Sequence, residues 1–192
     1  LGREEFAADL LNNAARRDAV RVGLADGLEV IKDEDAPGGN PHMWLDPRLA
    51  MRYVEKVRDA LARADPAGAT TYRGNAEAYL RELEALDREI EAQVQQLPPQ
   101  QRKLVTFHDA FPYFARRYGL QVIGVVLRSP GSEPSAREIA DLVRKVRAEK
   151  GLADMPILVY SQHADSKWIF PALAAGARGY LLKDARPDEL LA

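Results

Sequence analysis

Apolar positions at helical spacing open the chain: Phe6, Leu10 and Leu11 predict a helix over residues 2–15, and residues 20–24 read as a short buried strand behind it. Residues 33–41, DEDAPGGNP, then gather acids, Gly and Pro between two patterned segments, the composition of a loop, and deliver His42 at its end. Asp46 sets a capping carboxylate before Pro47, whose missing N–H costs nothing at the first helical position. Leu49, Tyr53, Val54, Val57 and Leu61 line one face of the helix that follows. The longest pattern comes next. Tyr72, Ala76, Tyr79, Leu83, Leu86, Ile90 and Val94 recur three or four apart up to Leu97-Pro98-Pro99, which predicts a helix of roughly 25 residues, about 38 Å long. Glu77 with Arg81 and Glu84 with Arg88 mark its solvated side; a helix packed on one face accounts for them, with a coiled-coil dimer as the alternative.

Beyond the proline pair the rhythm shortens. Strands over residues 104–107, 122–127, 157–161 and 180–183 alternate with helices over 109–118, 135–149 and 166–175. Ser135 and Glu138 form a capping box ahead of Ile139, Leu142, Val143 and Val146. Alternation of this kind predicts an α/β fold with a parallel sheet, in which ligands bind beyond the carboxyl ends of the strands. Pro171 conflicts with its own helix, since an interior proline costs about 3 kcal/mol unless the helix starts late or kinks.

Composition narrows the function. With 192 residues, 46% apolar and 29% charged, the chain can bury a sizeable core. Its 27 Lys and Arg against 29 Asp and Glu give a net charge of -2, which supplies no broad cationic face for nucleic acid or an anionic membrane. Cysteine is absent, which excludes disulfides, thiolate metal sites, iron–sulfur ligation and Cys nucleophiles but leaves the redox compartment open. No apolar run reaches about 18 residues, and residues 1–11 carry acids in an amphipathic pattern, so neither a membrane span nor an export signal is expected in the sequence as it stands.

The three histidines are the candidate chemistry. His108 and His163 fall just past predicted strands, and His42 ends the acidic loop. Neutral imidazole is a good ligand for zinc and its neighbours, and without thiols a site here is built from His and carboxylate, with Asp184 after the last strand as the oxygen donor. The alternative is that each His is a polar loop residue or a cap, because no local spacing such as His-x-x-x-His joins them. Rival constellations are missing. Ser161 and His163 lack the glycine-flanked turn of a serine nucleophile, and neither G-x-x-x-x-G-K-[ST] nor G-x-G-x-x-G occurs. Trp44, Tyr113, Phe114 and Trp168 are scattered, as core residues are, rather than interleaved with a basic stripe. No catalytic residue is expected.

The run Asn40-Pro41-His42-Met43-Trp44-Leu45-Asp46-Pro47, the long helix ending at Pro98-Pro99, and the run Val105-Thr106-Phe107-His108-Asp109-Ala110-Phe111-Pro112-Tyr113-Phe114 together resemble the metal-binding receptors of ABC transporters for zinc and manganese. Glu133-Pro134-Ser135 fits the same family, and the resemblance covers roughly residues 1–150. It implies two β/α lobes bridged by a backbone helix, with His42 and His108 as ligands; His at the second position points to zinc ahead of manganese, whose receptors commonly carry Glu there. An ABC-transporter permease as partner and a periplasmic or extracellular lipid-anchored location are implied as well. Family members begin with a longer lobe that holds a further His ligand in a His-x-Tyr-x-Pro-like motif, which this sequence does not contain, and residues 33–39 stand where zinc receptors often have a His-rich loop.

From about residue 152 the wording changes. Met155-Pro156-Ile157-Leu158-Val159-Tyr160-Ser161, and the run from Ala172 through Gly176-Ala177-Arg178-Gly179-Tyr180-Leu181-Leu182-Lys183-Asp184-Ala185, are similar to the last third of a response-regulator receiver domain. That resemblance implies Ser161 as the hydroxyl switch residue and Lys183 as the lysine on the phosphoryl group. The acidic pair and phosphorylated Asp of a receiver have no counterpart, so phosphorelay signalling ranks last. Both parents are flavodoxin-like β/α layers, and the chain reads as a hybrid joined between Lys145 and Met155, by deliberate recombination or, alternatively, natural fusion.

The expected architecture is a parallel flavodoxin-like β/α sheet with a long backbone helix and a truncated amino-terminal β/α piece: residues 1–64 a partial lobe, 65–99 the backbone helix and 100–192 the β/α lobe. The expected function is residual divalent-metal binding, with zinc held by His42, His108, Asp184 and His163. The alternative is an engineered scaffold with no ligand. The unpaired edge at residues 20–24 predicts self-association into a homo-oligomer.

Overall fold

A computed structural model describes residues 13, 19–32, 38–127, 134–149, 151–155, 157–161 and 164–182. The chain forms two compact units, one of residues 1–97 with 110–120 and the other of residues 98–109 with 121–192.

In the first unit Asp46 does what its place before Pro47 predicts: its Oδ1 accepts the Arg48 N–H at 2.8 Å and starts helix α1, Pro47–Ala64. A 3-10 turn, Pro66–Gly68, leads into α2, Ala69–Gln95, whose 27 residues span about 40 Å. Ala76, Leu83, Asp87 and Val94 form its buried stripe, the periodicity read from the sequence with one acid added. The short helix α3, Pro112–Tyr118, stops at Gly119, whose φ of 70° turns the chain so that the Leu120 N–H reaches the Ala115 carbonyl at 2.9 Å. Met43, Tyr53, Tyr113 and Ala25 make the core, with Leu24, Leu28, Val30, Ile31 and Leu49 packed on it.

Residues 20–24 are not the strand that the sequence predicts. Val20 is 64% exposed, and the chain runs irregularly into a turn in which the Leu28 N–H bonds to the Ala25 carbonyl at 3.1 Å. No described strand lies beside it; instead the Lys56 ammonium gathers the carbonyls of Leu24, at 2.8 Å, and Asp26. A side chain thus takes the place of a β-ladder, and the strand edge on which self-association was expected does not exist there. The helix expected over residues 2–15 falls, Asn13 apart, outside the described residues.

The second unit confirms parallel pairing. Strand β1, Lys103–His108, lies beside β2, Gln121–Leu127, and β3, Leu158–Ser161, beside β4, Gly179–Leu182. Among the described residues these are two separate two-stranded sheets. Helix α4, Ala136–Ala148, serves both. Its Val146 meets Ile123 and Leu152, and its Val143 meets Ala172 and Ala177, with Ile157 shared between the two clusters. The capping box is formed: Ser135 Oγ accepts the Glu138 N–H at 3.2 Å, and the Ser135 N–H donates to Glu138 Oε2 at 2.7 Å. Gly124 lets this packing close, since a Cβ there would push the Leu142 side chain aside. Arg147 fastens the far end of α4, donating to the carbonyls of Gly176, Ala153 and Met155 at 2.6–3.0 Å. Helix α5, Ser166–Ala174, keeps Pro171 inside it, with Asp165 accepting the Lys167 N–H at 3.0 Å as its cap. Over nine residues the missing proline N–H removes one bond from a helix that Ala172 anchors in the core.

Candidate metal centre

The turn that carries His42 is built from both sides. Asn40, 1% exposed, donates its N–H to the Ile31 carbonyl at 3.0 Å, and its own carbonyl accepts the Tyr113 hydroxyl at 2.8 Å. That hydroxyl in turn accepts the Ile31 N–H at 3.0 Å. Tyr113, fully buried on α3, is therefore a post that clamps both ends of the loop between Ile31 and Asn40. Met43 plugs the 3-10 turn Met43–Leu45 into the core, and Asp46 closes it onto α1. Between these inward anchors His42 is half-buried, with the exposed Trp44 ring 5.3 Å away, centroid to centroid.

The Asn40 amide orients the imidazole. Its Oδ1 accepts the His42 backbone N–H at 3.0 Å and lies 3.0 Å from His42 Nδ1. Metal-binding imidazoles are held in this way, with one ring nitrogen bonded to an oxygen and the other presented to the ion.

His108 is the last residue of β1, exposed, opposite Leu127 in the parallel register. The sequence places it at a carboxyl strand end, and it is found there. Asp109 and the buried Ala110 follow it. His42 belongs to the first unit and His108 to the second. Ser161 ends β3, while His163, Lys183 and Asp184 lie outside the described residues. Among the described residues no group of three or more His, Asp or Glu side chains is arranged to hold an ion.

One polar cluster was not read from the sequence. Asp87, 5% exposed on α2, accepts two bonds from Arg117, Nε to Oδ1 at 3.0 Å and an Nη to Oδ2 at 2.7 Å. The Tyr118 hydroxyl adds 2.9 Å and Arg48 Nε 3.2 Å. Burial pushes the Asp87 carboxyl up, but the hydrogen bonds from Arg117, Tyr118 and Arg48 outweigh it and hold it below the ordinary carboxylate range. Burial and the bond to Asp87 push the Tyr118 phenol well above its ordinary value. Asp46 moves the other way: desolvation raises it, against the lowering effect of the Arg48 and Leu49 N–H groups and of Arg117. The signal was present in the pattern, because an acid four residues after Leu83 and seven before Val94 sits on the apolar stripe of α2 and needs a buried partner.

Known proteins resemble this chain in sequence and in fold. The chain is 36% identical over 147 residues to the manganese-binding lipoprotein MntA of Halalkalibacterium halodurans, which covers 77% of this chain and 48% of MntA. It is 33% identical over 137 residues to the iron-binding protein YfeA of Yersinia pestis, 67% of this chain and 44% of YfeA. The chain thus spans about half the length of the curated relatives it matches. Among solved structures, the periplasmic zinc-binding protein TroA of Treponema pallidum superposes with a TM-score of 0.69 at 26% identity, over 93% of this chain and 66% of TroA. The model of the ZnuA family, described as zinc-uptake complex component A, periplasmic, matches residues 1–179, through most of the receiver-like stretch and short of Lys183 and Asp184. With the two histidine motifs, the long helix and the parallel β1–β2 pair inside that match, the chain belongs to the ZnuA family.

Proposed function

We propose that this chain is a non-catalytic divalent-metal receptor component that takes zinc ahead of manganese through His42 and His108, with Asp184 and His163 as further donors. The observation that carries the reading is His42 itself, an imidazole fixed by Asn40 on a turn clamped by Tyr113. Two imidazoles and a carboxylate with no thiol suit zinc, and the names of the relatives, which include manganese, iron and zinc binders, support a divalent metal in general. Family membership supports a periplasmic or lipid-anchored extracellular setting and delivery to an ABC-transporter permease. The division into a partial lobe over residues 1–64, a backbone helix over 65–99 and a β/α lobe over 100–192 belongs to the same proposal.

Zinc titration against a competing chelator tests this. Saturable binding that weakens by at least about 10-fold in His42→Ala and in His108→Ala supports the receptor reading. Identical traces for all three proteins leave the ligand-free scaffold in its place.

The hybrid origin belongs to the same proposal, supported by the receiver-like wording around Ser161 and Lys183. A graft of that kind lacks a phosphoryl acceptor, so acetyl phosphate is expected to leave no adduct; a stoichiometric aspartyl phosphate overturns that expectation.

A further inference from the structure

We infer that Asn40 is a positioning residue that fixes His42 as its Nδ1–H tautomer, so that Nε2 carries the lone pair offered to the metal; this deepens the reading of His42 as a ligand and rests on it. The geometry decides both atoms. The His42 backbone N–H can only donate, so the Asn40 amide atom 3.0 Å from it is the oxygen. That same oxygen is the atom 3.0 Å from Nδ1, and two acceptors do not bond to each other. Nδ1 therefore holds the proton, and in the neutral ring Nε2 is left as the basic nitrogen. One side-chain oxygen thus sets the backbone entry into the turn and the tautomer of its imidazole together.

Asn40 divides the work between its main chain and its side chain. Its N–H goes to Ile31 and its carbonyl to Tyr113, while the side-chain oxygen addresses His42. The division makes the idea testable, because truncating the side chain keeps both main-chain anchors. A role in folding alone would be felt at the main chain; a role in presentation is felt at the ring.

The experiment is long-range 1H–15N NMR of the histidine rings in metal-free protein, at a pH about two units above the ordinary imidazole value so that the rings are neutral. The His42 signals are identified by their loss in His42→Gln. The expected result is an Nδ1–H pattern for His42 in the wild type, lost in Asn40→Ala and kept in Asn40→Asp, whose carboxylate still accepts both bonds. An Nε2–H pattern in the wild type overturns the inference, and so does an unchanged pattern in Asn40→Ala. Zinc affinity is expected to fall about 10- to 100-fold in Asn40→Ala and to stay near wild type in Asn40→Asp. The wild-type tautomer is read without metal and without the Asn40 variants, so it stands even where Asn40→Ala fails to fold. If His42→Gln binds zinc as well as the wild type, the ligand reading fails while the tautomer result stands by itself.

Discussion

The turn from Asn40 to Asp46 and the β3–α5–β4 segment are both short pieces of chain, held by opposite means. In the turn, named side chains do the holding: Tyr113 reaches Asn40 across 73 residues of sequence and Ile31 across 82. In β3–α5–β4 the work falls to backbone pairing and a small apolar face of Val143, Ala172 and Ala177. Its main polar tie, Arg147, ends on carbonyl oxygens that any residue supplies. The first arrangement depends on the identity of side chains distant in sequence, whereas the second asks for volume, layer order and the local signals of Asp165 and Gly176. A region of the second kind can therefore accept wording from another β/α family, which is the physical content of the proposed hybrid.

The sharpest way to break this contrast is to remove a named side chain where the first unit depends on one. Asp87→Ala leaves Arg117 and the Tyr118 hydroxyl without their shared acceptor, and about 3 kcal/mol or more of stability is expected to go, read by urea unfolding. The same acid gives a pH test. Its native carboxyl titrates below the ordinary value, so the unfolded chain takes the proton first; the stabilisation is complete above about pH 4 and is lost as pH falls toward the native value. Asp46, raised by burial, works in the opposite direction, since acid relieves the cost of its charge. Unfolding midpoints from pH 7 downward are expected to show a flatter acid limb in Asp87→Asn than in the wild type.

Next in size is Tyr113→Phe, which strips the Ile31 N–H and the Asn40 carbonyl of their shared partner and is expected to cost about 2 kcal/mol. Ser135→Ala, removing one cap of the α4 box, is expected to cost about 1 kcal/mol by the same measurement. Smallest is Val159→Ile on β3, expected to stay within about 1 kcal/mol because a half-buried position in an apolar face tolerates one methylene. A larger loss at Val159 than at Tyr113 would reverse the contrast.

Local chemistry was legible in the sequence, and distant partnerships were not. The Asp46–Pro47 start, the stripe of α2, the Ser135 box and the carboxyl strand end at His108 follow from spacings of a few residues, and each stands where the pattern puts it. Residues 20–24 have the composition of a strand but not its backbone, and the Leu24 carbonyl at their end goes to Lys56. Asn40 stood in the sequence as one letter of a motif, because the groups that give it a role lie at Ile31, His42 and Tyr113. His163, Lys183 and Asp184 fall outside the described residues, so their part in the site rests on the proposal.

The pairing of β1 with β2 slips between Leu104 and Val105, where Ile123 is stepped over: Leu104 faces Val122, Val105 faces Gly124, and His108 comes to rest beside Leu127. Ile123 is also the residue that meets Val146 and Leu152. The strand has traded an even ladder for a plug under α4, and the same offset sets the company that His108 keeps. Closing the bulge into an even ladder from Leu104 would set Val126 instead of Leu127 alongside the histidine and draw Ile123 from its socket below the helix, so the phase of this one strand couples the seating of α4 to the surroundings of a proposed ligand.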